Sequence, residues 1–416
     1  MTVEILPDAH GAGPSMHLWP EPEAASDLGV RRACRIERCG PGPRRDPVTL
    51  WYSLPDLGGE APAEPDEAFL IAGLIQAMAE GRDLVLHGAA SAELLGNLAE
   101  FRDAWHRWQP DSYATIDISA ERVTPRGAPR SFGAGVATSY SGGIDSTATI
   151  WRHASGLAGH GARRITHAVF AHGFDIPLSD VAAFEAGCDR ARPLLEALGI
   201  ALVPVRTNFR EALPYYWEMA YGVALASCFH QLGPSCGEAL VASSRTFDVL
   251  FFPMGSNAMT DGFLSSATLR IVEDGAGRNR CEKVAELAGW PAGLAVLRVC
   301  WQGSRRDRNC GECEKCVRTM HNFLAVGLPI PPCFDRAPTL AQVRAVKLSS
   351  RSLVEEWDQL AATAEENGIR APWVNVARRK VVRWRVRSAV REAARQVARA
   401  TLPTGVRRFV GRTVFA

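Results

Sequence analysis

The stretch that most limits the fold runs from Gly133 to Arg152. Small, β-compatible residues over Gly133–Ser139 lead into a turn with two consecutive glycines, Gly142 and Gly143, and a helix-like run opens at Ser146. Paired glycines let backbone N–H groups converge without Cβ interference, and a helix start adds unpaired N–H groups and the positive end of a dipole. Such a turn is a cradle for an anion. Ser141 and Ser146 add hydroxyl groups at its two ends, and Asp145 offers oxygen ligands for Mg²⁺ held against phosphates.

Downstream the chain alternates. Strand-like runs at 164–170, 201–208 and 238–244 are separated by helical patterns at 179–198 and 216–231. Strands alternating with helices of this length imply an α/β fold with a doubly wound parallel sheet, whose ligands sit at the carboxyl ends of the strands. This nucleotide-binding domain is expected over 131–299. A small α/β domain is expected over 47–123, with strands at 48–54, 83–88 and 113–118 and helices at 67–80 and 92–108. It can cover the active site, bind substrate or mediate a homodimer, and the sequence does not choose. Residues 1–46, rich in Pro, Gly and charge, read as mostly loose with one short strand at 33–37.

Residues Ser141–Ser146 spell S-G-G-x-D-S, which resembles the signature of the N-type ATP pyrophosphatases, also called the PP-loop or adenine nucleotide α-hydrolase group. Members of that group cleave ATP between the α and β phosphates, usually to adenylate a substrate. The lysine-bearing Walker loop is absent. The resemblance implies ATP and Mg²⁺ as ligands, with Ser139, Ser141, Gly142, Gly143, Ile144, Asp145, Ser146 and Thr147 around the phosphates. Ser141, Asp145 and Ser146 would be the catalytic residues. It also puts Ala171, His172 and Gly173 near the adenine, and Ser243 and Ser244, with Arg245, beside ribose or phosphate. Read on their own, both tripeptides are equally turns held by small polar residues.

Cys300, Cys310, Cys313 and Cys316 follow the spacing C-x₉-C-x₂-C-x₂-C. Four thiolates close a tetrahedron around Zn²⁺, leave no open coordination position and make the site structural; thiolates also hold iron–sulfur clusters. The spacing resembles the zinc loop of the 7-cyano-7-deazaguanine synthases, a family within the PP-loop group, and that resemblance favours zinc. The segment those synthases use to receive their carboxylated deazapurine is not found. Cys300 is preferred to Cys333 or His321 as fourth ligand because it ends an apolar, strand-like run at 294–299. The chain has eleven cysteines, an odd number, which reads as a metal site plus free thiols in a reducing cytoplasm. Among the others, Cys188, Cys228, Cys236 and Cys281 are the candidates for a reactive thiol.

The net charge of +2 hides an asymmetry: residues 377–416 carry twelve bases and one acid. On a helix advancing about 100° per residue, Val382, Val386, Ala389, Val390, Ala393 and Val397 share one face, and Arg383, Arg387, Arg391, Arg395 and Arg399 share another. A basic amphipathic tail of this kind, expected over 372–416, suits an anionic membrane surface, a nucleic-acid backbone or its own protein. Before it, 300–338 reads as the cysteine loop with a following helix, and 339–371 as a helical segment. No run of about eighteen apolar residues is present, and the N-terminus lacks a basic, apolar leader, so a cytoplasmic location is expected.

The function expected is an ATP-dependent ligase or amidotransferase that adenylates a small-molecule carboxylate and passes the acyl group to ammonia or an amine. The alternatives are a tRNA-modifying PP-loop enzyme and a non-catalytic nucleotide-binding scaffold. Asp261, in a polar loop, is expected to face the cleft on the acceptor or substrate side; Arg278, Arg280 and Lys283 offer cations for phosphate or carboxylate, or equally form a solvated helix face.

Overall fold

The computed structural model describes residues 13–41, 46–58, 66–127, 133–300, 302–303 and 306–401. Eleven strands join one mixed sheet: β1 Ser15–Pro20, β2 Ala24–Ser26, β3 Gly29–Cys39, β4 Val48–Leu54, β5 Asp83–Ser91, β6 Ile118–Thr124, β7 Gly135–Ser139, β8 His167–His172, β9 Ala201–Thr207, β10 Cys236–Ala242 and β11 Arg270–Asp274. Their order is β11-β10-β7-β8-β9-β4-β3-β1-β5-β6, with β2 paired to β3. With twelve α-helices among the described residues, the fold is α/β. The chain divides into two units, Met1–Cys310, which holds the sheet, and Gly311–Ala416, which is helical.

Strands β11, β10, β7, β8 and β9 are parallel throughout. Among them β7, β8 and β10 are largely buried on both faces, as parallel strands require when helices cover each side. Ile144–Ala154, Val181–Glu196 and Trp217–His230 are the crossover helices. Asp180 starts the second by accepting a hydrogen bond from Ala183 N. The chain runs from β7 outward through β8 to β9, then returns to the other side of β7 for β10 and β11. The direction of winding therefore reverses between β7 and β10, and an open α/β sheet receives ligands in the crevice at such a reversal.

The sheet does not end at β9. Tyr52 and Ser53 of β4 pair antiparallel with Thr207 and Arg206 of β9. Asn208 secures the join, accepting from Trp51 N at 2.9 Å and donating to Thr49 O at 2.8 Å. The helix Glu67–Glu80 packs on Trp217–His230, and one apolar core runs from Met16 to Ile271.

The segment expected to be mostly loose carries three strands: the short strand expected at 33–37 lies within the longer β3, and β1 and β2 stand where none is expected. Met16 and Leu18 of β1 and Cys34 and Ile36 of β3 face the core, whereas the charges that suggested a loop lie on the other face or at its rim. Arg38 pairs with Glu80 at 2.9 Å and Arg32 with Glu23 at 2.8 Å. The strand expected over 113–118 begins only at Ile118, because Tyr113 turns into the core, edge-on to Trp105 at 5.1 Å.

In the helical unit, Glu314–Ala325, Arg351–Glu366 and Pro372–Thr401 pack around Met320, Phe323, Trp357, Leu360 and Trp373. Ser350 caps the second helix by accepting from Leu353 N. Glu314 accepts from Arg318 Nε at 2.7 Å and from Trp357 Nε1 at 2.8 Å. The last helix buries Trp373, Val374, Ala377 and Val381, while Val382, Val386 and Val390 are more than half exposed. Of the three partners open to the valine face, its own protein is not the one used by the described residues, because the first turns of the helix, which fix its rotation, bury a different stripe. The side chains of Arg395, Val397 and Arg399, and residues 402–416, lie outside the described residues. No helix among the described residues is long and apolar enough to cross a membrane.

Candidate functional site

Strand β7 delivers Ser139 to the reversal point, and Tyr140 N still donates to Val169 O of β8 at 2.8 Å. The chain then turns through Ser141, Gly142 and Gly143 into the helix Ile144–Ala154. Gly142 has φ +75°, and a Cβ there would lie 3.1 Å from Arg298 Cβ. Gly142→Ala is expected to lower stability by about 1–2 kcal/mol, measured as the shift of a urea unfolding midpoint.

The two serines form one cluster. Ser146 Oγ accepts from Ser141 N at 3.2 Å and lies 3.4 Å from Ser141 Oγ, which in turn accepts from Gly143 N at 3.2 Å. Ser141 is exposed and Ser146 buried. The first intrahelical bond runs from Thr147 N to Gly143 O at 3.0 Å, so the amides of Ile144, Asp145 and Ser146 precede the helical ladder. The side chains of Ile144 and Thr147 are buried and Thr147 N is already bonded to Gly143 O, so of these two residues only the Ile144 amide is left for a ligand.

Asp145 stands in the first turn with both carboxylate oxygens engaged. Arg280 Nη2 donates to Oδ2 at 2.6 Å and Lys283 Nζ to Oδ1 at 3.2 Å. Burial alone would raise its pKa, but the two cations outweigh burial and hold the carboxyl well below the usual carboxylate range. Both cations come from the helix Arg280–Leu287, which a capping box at Asn279 and Glu282 starts. Lys283 Nζ also donates to Ser243 O, tying the loop after β7 to the loop after β10. Arg278 instead pairs with Glu286 on the exposed side.

After β10, Ser243 is fully buried: its Oγ donates to Arg245 O and accepts from Arg245 N. Ser244 is the half-exposed residue of the pair. At the end of β8, Ala171 is half-buried, whereas His172 is buried, stacks on Phe184 with ring centroids 4.3 Å apart, and donates from Nε2 to Pro177 O. Gly173 has φ +103°, and a Cβ there would lie 1.9 Å from Thr207 O. His172 and Gly173 thus hold a turn, leaving Ala171 as the residue of the three that reaches the strand-end surface.

Asp261 does not face the cleft. It is 1% exposed, accepting from Ser256 Oγ at 2.6 Å and Asn257 N at 2.9 Å, and it staples its own loop. Burial pushes its carboxyl up from 3.8 to about 7. Between those values the unfolded chain has lost this proton and the folded chain keeps it, so stability falls as pH rises through the window and levels off above it. Asp261→Asn is expected to flatten that slope in thermal midpoints taken from about pH 4 to 8.

The Sγ atoms of Cys300, Cys310, Cys313 and Cys316 lie within 4.8 Å of one another. A tetrahedron with Zn–S bonds of about 2.3 Å has edges of about 3.8 Å, so small side-chain shifts would close the group on an ion such as zinc. Gly311, at φ +73°, makes the turn inside the first C-x₂-C gap. His321 is outside the group, with Nδ1 2.7 Å from Val317 O. The run at 294–299 is not a strand. Pro291–Ala295 is helical, and the residues after it are held by side chains: Asn309 Oδ1 accepts from Val299 N and Cys300 N, and Asn309 Nδ2 donates to Leu297 O. Within the same segment Arg298 N donates to Gly142 O at 2.8 Å and Arg298 Nη2 to Ser141 O at 3.1 Å. The approach to the cysteine loop therefore also braces the serine–glycine turn.

The four thiols named as candidates for reactivity are buried, whereas Cys39 is exposed and Cys333 half-buried. Cys188, Cys228, Cys236 and Cys281 are at most 5% exposed. Burial pushes Cys188 up to about 11 and Cys236 up to about 12, and raises Cys228 as well. Comparison with protein-family models, with curated proteins and with solved structures gives no match.

Proposed function

We propose that the chain is an ATP-dependent ligase that adenylates a carboxylate substrate and releases pyrophosphate. It would be a PP-loop protein with an adenine nucleotide α-hydrolase-like sheet, resembling the 7-cyano-7-deazaguanine synthases in its phosphate and cysteine loops. One observation carries the reading: the Ser141–Ser146 turn stands at the carboxyl ends of β7 and β10, where the winding reverses, with helix amides and two cations beside it.

In this reading a substrate carboxylate oxygen attacks the α-phosphorus, and the bond from that phosphorus to the α–β bridging oxygen breaks. Pyrophosphate leaves with the electron pair. Ammonia or an amine then adds to the acyl carbon and loses a proton, and AMP departs. The amides of Ile144 and Asp145, the hydroxyl groups of Ser141 and Ser146, and Arg280 and Lys283 stabilise the charge that builds on the leaving pyrophosphate. Ser244 and Ala171 border the space for the nucleoside. The carboxylate is already nucleophilic, so alignment and charge stabilisation supply the rate without a general base.

Asp145 suits Mg²⁺, which is commonly held by one or two carboxylates together with substrate phosphates and water. Bound there, Mg²⁺ would neutralise phosphate oxygens, and Asp145 would loosen its ion pairs to hold it. The cysteine group would hold Zn²⁺ as a structural ion. A thiolating tRNA-modifying enzyme needs an accessible thiolate, and the burial of Cys188, Cys228, Cys236 and Cys281 weighs against that alternative.

The test is product analysis with α-labelled ATP, Mg²⁺ and pooled small carboxylic acids, with and without tRNA. AMP formation that depends on an acid is expected. AMP formation that depends on tRNA would move the reading to RNA modification, and ADP or no turnover would contradict a ligase.

A further inference from the structure

We propose that the helix Pro372–Thr401 is a docking surface for an anionic lipid bilayer, on which it lies through Val382, Val386 and Val390. The first three turns belong to the protein's own core: Trp373, Val374, Ala377 and Val381 are buried there. From Val382 onward the apolar side chains change faces. Val382, Val386 and Val390 are 57%, 59% and 65% exposed, and their four-residue spacing sets them in one stripe along the helix. A row of branched aliphatic side chains held in water is unfavourable and marks a surface that something apolar covers.

The charges beside the stripe say what that cover is. Arg383, Arg387 and Arg391 each follow one valine of the row by a single residue, about 100° around the helix. All three are exposed and have no hydrogen-bond or ion-pair partner among the described residues. On the opposite flank Arg378 is committed to Asp358 and Glu365, and Arg385 to Glu355 and Asp358, at 3.2 Å and 2.8 Å for the latter pairs. From Val382 to Arg391 the unpaired positive charge therefore lies along one side of the valine row. Between residue 377 and the C-terminus the chain carries twelve bases against the single acid Glu392.

A bilayer surface satisfies both features together. The valines enter the boundary between headgroups and acyl chains, while the arginine stems run along the apolar surface and bring their guanidinium groups to lipid phosphates. A nucleic-acid backbone would use the arginines and leave the valines in water. A second copy packed on the valines would bring arginine rows close to each other at a like-charge cost. The helix lies on the bilayer and does not span it, since no helix among the described residues is long and apolar enough to cross.

The test uses the full chain without nucleotide, so its outcome is independent of the ATP reading. Binding is measured by co-sedimentation with vesicles of phosphatidylcholine plus phosphatidylserine, against vesicles of phosphatidylcholine alone. Binding to the anionic vesicles that weakens with added salt is expected. The triple variant V382S/V386S/V390S should lose at least about tenfold in partitioning, and Arg383→Gln and Arg387→Gln about fivefold each. These side chains are exposed, so circular dichroism and the thermal midpoint should match the parent and exclude misfolding. Equal binding to neutral vesicles, or a triple variant that partitions like the parent, would overturn the proposal. So would arginine-dependent, valine-independent binding to tRNA in place of vesicles. A valine variant that only converts a dimer to a monomer in light scattering would overturn it too.

Discussion

Replacing Asp145 with Asn is expected to cut ATP-dependent AMP formation by at least about a thousandfold and, through a separate effect, to destabilise the unit Met1–Cys310 by about 3–5 kcal/mol. The second effect follows from Lys283, which is 2% exposed and whose charge is balanced by the Asp145 carboxylate 3.2 Å away. A neutral amide leaves that ammonium buried and uncompensated. Removing the orphaned charge in a D145N/K283M double variant should therefore recover most of the thermal midpoint, because the cost is the unpaired ion and not the lost pair. Turnover should stay low, since neither an acidic oxygen for Mg²⁺ nor the Lys283 charge is restored. If activity returned along with stability, Asp145 would be a buttress for the loop and its assigned part in the chemistry would be wrong.

Loss of the metal is the other large effect. The purified chain is expected to carry one zinc, and Cys316→Ser is expected to abolish its retention and to lower the thermal midpoint more than Gly142→Ala does. Structural zinc contributes about 10–16 kcal/mol of apparent binding energy in small zinc modules. Cys313 is the N-cap residue of the helix Glu314–Ala325 and Cys316 lies in its first turn, so the ion would fix the start of that helix. The effect should also reach the serine–glycine turn. Asn309 holds Leu297, Val299 and Cys300, and Arg298 between them bonds Gly142 O and Ser141 O. Chelator-treated protein should thus bind ATP more weakly than the zinc-loaded form in calorimetry. Iron in metal analysis, with a brown chromophore, would contradict the zinc assignment, and full helicity without any metal would contradict its structural role.

What the sequence discloses depends on how local each signal is. The helices Glu67–Glu80 and Ala92–Trp108 are legible because their apolar period runs for several turns. The cysteine group is legible because three of its members lie within seven residues. Strand β1 is too short to show a period, and of β3 only the run at 33–37 is legible, since the rest of its alternation is diluted by arginines and glutamates whose partners, such as Glu80 for Arg38, lie far along the chain. Strand β11 hides for the same reason: Arg270, Glu273 and Asp274 dominate its five residues. The join of β4 to β9 rests on two pairs of residues more than 150 positions apart, and no periodicity announces it. The Asp145–Arg280–Lys283 cluster is equally non-local. Read in sequence, those cations resemble a solvated helix face, and only the packing of their helix beside Ile144–Ala154 brings them to the carboxylate.

In the function proposed here, the Ser141–Ser146 turn holds the two terminal phosphates of ATP so that the bond beside the α-phosphorus breaks. Exchange of labelled pyrophosphate into ATP tests it most directly, because only a reversible adenylation returns pyrophosphate to the nucleotide. Exchange that requires Mg²⁺ and a carboxylic acid, and that disappears in the D145N/K283M variant, is expected. Label that never enters ATP while ADP accumulates would place the cleavage at the β–γ bond and contradict it.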